Sequence, residues 1–150
     1  MSNLEPDNII TILKNSDKKT PKFSLEGITK ICKVVDIYDG DTCRVVFNHN
    51  GVINKWNVRM QGYDSPEMRP SKSKPNRNEI KIKAKQSKEY LKSLIANKDN
   101  KLVYLKCGKF DKYGRLLGEI FIDLEDEQSV NDMMITNGYG YKYDGGTKIK

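Results

Sequence analysis

The sequence predicts an α+β fold, on the strength of three observations. Short β-branched runs alternate with turn signals, two longer segments carry apolar residues at helical spacing, and 150 residues suffice for one domain with a modest core. Hydrophobic residues make up 37% of the chain and charged residues 31%, as in globular domains. No stretch approaches the ~18 consecutive apolar residues of a membrane span, so we expect no membrane contact.

Five strands are predicted in two groups. Asn50-Gly51 is a strong two-residue hairpin signal and joins the second strand to the third. In the third strand, apolar and polar residues alternate from Trp56 to Met60, so Arg59 should lie on the opposite face from both. The predicted strands are residues 31–37, 42–47, 53–61, 102–105 and 116–124.

Two helices are predicted to accompany these strands. The first begins after Asn76 or Asn78, which suit the N-cap equally well, and keeps helical apolar spacing up to Ile95. The second opens at Ser129 and closes at Gly138. Three strands, a helix, two strands and a helix fit a five-stranded Greek-key β-barrel of the OB type, with two or three helices in all.

The domain is expected to occupy residues 27–143, between an N-terminal extension (1–26) and a loose tail (144–150). Within the extension, Asp7 is expected to cap a short apolar helix, which either packs on the domain, as we expect, or binds a partner. The first residues lack the basic and apolar regions of a secretion signal. We therefore expect an intracellular protein, and the bias toward Lys, Asn and Ile adds a viral or virion-associated protein as a further possibility.

Three cysteines, Cys32, Cys43 and Cys107, lie in apolar or strand-like segments. An odd number without paired spacing argues against a disulfide framework. The absence of clustered histidines argues against zinc. We expect buried free thiols.

Basic residues are concentrated in the middle of the chain. The net charge is +7 and the sequence pI is near 9.2. Between Arg69 and Arg115 there are fifteen Lys or Arg and four Asp or Glu. This distribution suits a phosphate backbone, although a solvated lysine-rich helix produces the same pattern.

Acidic residues meet at the ends of neighbouring predicted strands. Asp41 ends the first turn, whereas Asp64 and Glu67 follow the third strand. Carboxylates in one place repel each other unless a cation lies among them. Oxygen ligands without His or Cys favour calcium or magnesium over zinc. Taken singly, each group also fits an ordinary turn or a solvent-facing loop.

Two arginines lie near these carboxylates or in a turn. Arg59 precedes Asp64 by five residues, and Arg115 closes an Asp-x-x-x-Arg turn. A guanidinium binds phosphate through two parallel hydrogen bonds and stabilises the charge that develops in phosphoryl transfer. Each arginine alone also fits a surface ion pair.

Together these segments resemble the signature segments of the staphylococcal nuclease (thermonuclease) family, in the same order. They are Val35–Thr42, Arg59–Glu67 and Asp111–Arg115, and the similarity covers about residues 27–143. The resemblance implies an OB-type barrel and calcium-dependent, sequence-nonspecific hydrolysis of DNA and RNA to 3′-phosphate products. It also implies a preference for single-stranded or frayed substrates, and a monomer without an obligate protein partner.

The resemblance implies metal ligands as well. Asp41 and Asp64 would bind Ca²⁺ through their side chains, and Ser65 would bind it through its main-chain carbonyl. A catalytically silent nucleic-acid-binding module of the same fold, used in packaging or as a scaffold, is the alternative function.

The other implied roles concern substrate and chemistry. Glu67 would orient or deprotonate the attacking water. Arg59 and Arg115 would hold the scissile phosphate and stabilise its transition state. Lys112 and Tyr113 would contact the terminal phosphate of the substrate.

Three tyrosines, Tyr139, Tyr141 and Tyr143, alternate with other residues near the end of the predicted domain. Such side chains either stack on bases beside a cleft or pack partly into the protein. We expect partial burial.

Overall fold

The computed structural model describes residues 6–96, 99 and 101–143, and the tail predicted at 144–150 lies outside these residues. Three helices and seven strands are formed. They are α1 (Asp7–Lys14), β1 (Thr29–Asp39), β2 (Thr42–His49), β3 (Val52–Met60), β4 (Tyr63–Asp64), α2 (Arg77–Ile95), β5 (Val103–Phe110), β6 (Leu116–Phe121), α3 (Val130–Thr136) and β7 (Tyr141–Lys142).

Five of the strands close into a barrel in the order β1-β2-β3-β6-β5. All neighbours are antiparallel except β3 and β6, which pair in parallel from Val58 to Met60. The prediction of an α+β fold with a five-stranded OB-type barrel is confirmed. The parallel pair brings the start of β6 beside the end of β3, where the segment that carries Asp64 and Glu67 leaves the barrel.

Alternating side chains fill the barrel. On β2, Cys43, Val45 and Phe47 are buried, and Phe47 stacks on Trp56 with 4.9 Å between ring centroids. All three cysteines are free and buried, as expected. Burial raises the pKa of the Cys32 and Cys43 thiols, so these groups stay protonated and inert at neutral pH.

β1, β2 and β3 differ from the predicted bounds by one or two residues, and larger differences occur at three other places. β5 continues to Phe110 instead of ending at Leu105, because Cys107 maintains the inward alternation among lysines and a glycine. β6 ends at Phe121, before the predicted 124. The two-residue strands β4 and β7 were missed, since runs this short give no periodicity; their pairing places Asp64 in a sheet instead of a loop.

The helix ends show which capping predictions are correct. Ser129 caps α3, its Oγ accepting a hydrogen bond from the Asp132 N–H at 3.0 Å. Asn76 stands at the N-cap of α2 without a side-chain capping bond. The prediction for Asp7 is wrong, because Pro6 takes the N-cap position of α1 and Asp7 lies in the first turn.

The N-terminal extension divides into an exposed helix and a docked end. No residue of α1 is buried, and Ile12 is 58% exposed, so the expected packing of this helix on the domain is wrong. Leu25, in contrast, is fully buried within the barrel core. The Gly27 N–H also donates to the Cys107 carbonyl at 2.9 Å. The barrel core therefore includes a residue from the segment assigned to the extension.

Among the described residues, no helix has the length and apolar character needed to cross a membrane.

Candidate active site

A cleft of about 570 Å³ opens where β1 turns into β2. All eight residues proposed for the site line it: Asp41, Arg59, Asp64, Ser65, Glu67, Lys112, Tyr113 and Arg115. They come from three separate stretches of the chain, which the barrel brings together.

Strand pairing explains why Asp41 and the end of β3 meet. Thr42 lies opposite Arg59 in the β2–β3 ladder, and the Met60 N–H donates to the Asp41 carbonyl at 2.8 Å. The turn that carries Asp41 is therefore fixed beside the strand that carries Arg59.

The turn that carries Gly40 and Asp41 packs against α2. Gly40 has no room for a side chain, because an added Cβ would lie 2.0 Å from the Ser87 Oγ. The buried Tyr63 hydroxyl donates to the Gly40 carbonyl at 2.7 Å, and the Ser87 hydroxyl donates to the Tyr139 carbonyl at 2.8 Å. Glycine is needed here for close approach, so the turn is a packed element rather than a mobile loop.

Arg59 is buried, and four contacts with oxygen atoms hold its guanidinium in place. Nη1 donates to the carbonyls of Met60 and Tyr63 at 3.0 and 2.9 Å. Nη2 donates to Asp64 Oδ1 at 3.0 Å, and Nη1 lies 3.5 Å from Asp41 Oδ2. One arginine therefore faces both carboxylates that were predicted to bind metal.

Asp41 is the most heavily hydrogen-bonded carboxylate of the cleft. Its Oδ2 accepts from both the N–H and the hydroxyl of Ser65 at 2.9 Å, and its Oδ1 accepts from the Thr42 hydroxyl at 2.9 Å. Burial opposes ionisation of Asp41, but the Arg59 charge, hydrogen bonds with the Asp39 and Asp64 side chains and the Ser65 N–H hold its pKa below the ordinary value. Asp41 is therefore ionised at neutral pH.

Asp39 behaves in the opposite way. Burial and the neighbouring charge of Asp41 raise the pKa of Asp39 to about 7. Its Oδ1 accepts from the Asp41 N–H at 3.0 Å. Near neutral pH, Asp39 thus holds a proton in about half of the molecules, and the proton offsets repulsion within the acidic pair.

The donor set suits a hard cation. Asp41 and Asp64 offer carboxylate oxygens and Ser65 offers a main-chain carbonyl, which accepts from the Tyr141 hydroxyl at 3.4 Å. Calcium and magnesium take such oxygens. In the part of the chain that the structure describes, no group of three or more His, Cys, Asp or Glu side chains is arranged to hold a metal. The expected ligand set thus depends on two carboxylates and the carbonyl.

Glu67 lies on the open side of the cleft. Its side chain is 44% exposed, and Lys74 Nζ is 3.8 Å from its Oε2. The carboxylate is thus accessible to water, in contrast to the buried Asp41 and Asp64.

Asp111 organises the turn at the other side of the cleft. Its Oδ1 accepts from the N–H groups of Tyr113 and Arg115 at 2.9 Å, and its Oδ2 accepts from Arg115 Nε at 2.7 Å. Despite partial burial, these donors lower the pKa of Asp111. The Arg115 guanidinium carbon lies 5.4 Å from the Tyr113 ring centroid, and Lys112 Nζ lies 5.2 Å from it.

Sequence reasoning missed several residues of the cleft, among them Tyr38, Asp39 and Arg44. The alternation of β2 offered a signal for Arg44, because it shares the face of Thr42 and pairs with Asn57. No pattern distinguished Asp39 from an ordinary turn residue. Of the three tyrosines near the domain end, all half-buried as expected, Tyr143 lines the cleft.

Comparison with known proteins identifies the family of this chain. A family model described as staphylococcal nuclease homologue matches residues 57–148. The chain belongs to this family. The staphylococcal nuclease homologue described here is also 30% identical over 112 residues to the protein named Endonuclease YhcR of Bacillus subtilis (strain 168). That match takes in 73% of this chain and 9% of the relative, so the chain spans about a tenth of the relative's length.

The family match starts at residue 57 and so does not include Asp41. The β2–β3 ladder brings Asp41 to the cleft beside the matched residues. The resemblance inferred from the three motifs is confirmed at the level of the family.

Proposed function

We propose that the chain is a calcium-dependent nuclease that hydrolyses phosphodiester bonds of DNA and RNA without sequence specificity. The main support is a single cleft lined by two buried carboxylates, two arginines and an exposed glutamate. The family and the printed name of the Bacillus relative, an endonuclease, point in the same direction.

Two guanidiniums are suited to bind the scissile phosphate. Arg59 is rigid because the protein holds it at four oxygens. Arg115 lines the cleft and is held by Asp111 through its main-chain N–H and Nε, and its terminal amino groups are proposed to bind the phosphate. Preorganised donors of this kind each contribute about 10²–10³-fold in rate.

Glu67 is the proposed base. Its exposed carboxylate would take a proton from water as the water oxygen bonds to phosphorus. The bond from phosphorus to the 5′ oxygen breaks, solvent protonates that oxygen, and the phosphate stays on the 3′ oxygen of the other product.

The cation would be held by Asp41, Asp64 and the Ser65 carbonyl. When bound, it supplies positive charge beside the phosphate oxygens. Arg59 orients both carboxylates, and the ion pairs at 3.0 and 3.5 Å support this role.

The substrate is proposed to be single-stranded or frayed nucleic acid. Tyr113 is 72% exposed and can stack on an unpaired base, while Lys112 attracts the terminal phosphate. We propose further that the protein acts as a monomer inside the cell or in a virion, without an obligate protein partner.

The proposal is tested by incubating the purified protein with single-stranded DNA or RNA, in calcium or in chelator. We expect cleavage with calcium alone, 3′-phosphate ends by mass spectrometry, and loss of cleavage in Glu67→Gln and Arg115→Ala. Glu125→Gln, an exposed glutamate outside the cleft, is the matched control and should cleave normally.

Three results would count against the proposal. Salt-sensitive binding without cleavage would establish the silent binding module instead. Faster turnover with magnesium than with calcium would overturn the metal assignment. Products with 5′-phosphate ends would overturn the proposed direction of attack.

A further inference from the structure

A second groove lies between β1 and the C-terminal half of α2. It measures about 360 Å³, and its lining combines four lysines with apolar residues of the strand and the helix. The lysines are Lys33, Lys88, Lys92 and Lys101.

The positive charge of this groove is not neutralised by the protein. Across residues 6–96, 99 and 101–143, none of the four lysines forms an ion pair. The groove lining includes one acidic residue, Asp36, and its carboxylate is already paired with Arg44. Ammonium groups gathered in this way attract an anionic ligand with several charges.

Rigid elements hold two of these lysines. Lys88 and Lys92 are four residues apart and so lie on one face of α2. The neighbouring Ser87 and Leu91 are fully buried and fix this part of the helix against the barrel. The main-chain positions of the two lysines are therefore fixed beside β1.

The groove continues from the candidate active site. Tyr38 and Asp39 line the cleft, and the preceding residues Asp36 and Ile37 line the groove. Arg44 belongs to the cleft and contacts Asp36, which connects the two linings. At about 3.3 Å per residue along a strand, Lys33 lies at most about 20 Å from Asp39, since β1 is irregular between them, and this span matches up to about six stacked nucleotides.

We propose that this groove binds the phosphate backbone of a single-stranded polynucleotide whose scissile bond lies in the cleft. The nature of the ligand rests on the proposed function. Lysines bind phosphates as point charges, so the groove increases affinity for long strands without sequence preference and leaves the chemical step unchanged.

The test compares Lys88→Gln/Lys92→Gln with Lys81→Gln/Lys85→Gln in the full chain. The control pair has the same spacing on the same helix and the same loss of charge, but it does not line the groove. Cleavage of a dinucleotide and of a single strand of about 16 nucleotides is measured, together with binding of the longer strand in chelator at several salt concentrations.

For Lys88→Gln/Lys92→Gln we expect a fall of about 10-fold in kcat/KM for the long strand at low salt and no change for the dinucleotide. The slope of log Kd against log salt should decrease by about 1.4, because about 0.7 is lost for each phosphate contact of a single strand. The control pair should change neither quantity appreciably.

Equal effects of the two double substitutions would show a general charge effect and overturn the proposal. Equal losses of kcat/KM on the dinucleotide and the long strand would also overturn it. The proposed function is judged separately by the wild-type protein. Wild-type binding that weakens in Lys88→Gln/Lys92→Gln, without any cleavage, would support the groove while defeating the nuclease. Cleavage by the wild type, together with equal effects of the two double substitutions, would support the nuclease while defeating the groove.

Discussion

Arg59 Nη2 lies 3.0 Å from Asp64 Oδ1, and both side chains are buried. The same guanidinium faces Asp41 and donates to two main-chain carbonyls. The charges of the proposed metal site are therefore partly offset by the residue that is proposed to bind phosphate, and a change at Arg59 affects both.

Arg59→Lys should separate charge from geometry. Lysine keeps the positive charge but cannot reach two carbonyls and two carboxylates together, so we expect a loss of about 10²-fold or more in kcat. The free energy of unfolding should fall by about 2–4 kcal/mol because buried acceptors lose donors. Steady-state kinetics and urea unfolding measure both quantities.

Arg44→Lys serves as the control for stability, since its partly exposed pair with Asp36 contributes at most about 1 kcal/mol. Equal destabilisation by both substitutions would contradict the role given to the buried network.

Asp39→Asn should change how stability depends on pH. The pKa of Asp39 is raised from 3.8 to about 7, so its protonated form stabilises the folded state at low pH, and this contribution is lost as pH rises toward 7. Asparagine resembles the protonated acid and cannot ionise. In chelator, the Tm of Asp39→Asn relative to wild type should therefore rise between pH 4 and 7 and level off above.

Ionisation of Asp41 does not contribute to the change in Tm expected between pH 4 and 7. Its pKa is lowered, so its contribution is present above about 3.8 and lost only in stronger acid. A Tm difference that stays constant from pH 4 to 8 would show that Asp39 ionises normally.

Asp111→Asn should reduce turnover by releasing Arg115. The amide oxygen can still accept from the main-chain N–H groups, but the amide nitrogen cannot accept from Arg115 Nε. We expect kcat to fall about 10-fold, or about 1.4 kcal/mol, with KM nearly unchanged. Arg115→Ala should lose more.

If Asp111 only stabilised the turn, Asp111→Asn would lower Tm and leave kcat intact. The paired measurement of thermal unfolding and steady-state kinetics therefore distinguishes positioning from stability.

Truncation should show where the folded unit begins. Removing residues 1–20 takes away the exposed α1 and should leave Tm and activity unchanged. Leu25→Ala should lower the free energy of unfolding by about 2–4 kcal/mol, because Leu25 is fully buried. Differential scanning calorimetry compares the stability of these variants. A stable, active variant that lacks residues 1–26 would contradict the contribution expected from Leu25.

The eight candidate residues could be chosen from the sequence more readily than the boundaries of the elements. They lie in short motifs whose residue types suit the proposed chemistry, and all of them line the cleft. β5 was cut short because Lys106 and Gly108 interrupt its apolar run, while only its inward residues must be apolar.

Other features depend on contacts that local patterns do not encode. The pKa of Asp39 reflects burial next to Asp41, and the contact of Lys74 with Glu67 depends on the path of the segment between β4 and α2. Neither could be predicted from spacing. The exposed α1 carries the apolar pattern of a packed helix but buries none of its residues.

The parallel pairing of β3 with β6 has a consequence for biosynthesis. Arg115 reaches the cleft only when Leu116 lies beside Val58, a contact between residues far apart in the chain. Chains emerge from the ribosome N-terminus first, and such distant pairings form late. A nascent or incompletely folded chain therefore lacks an assembled cleft, and all eight candidate residues come together only after the whole barrel has closed.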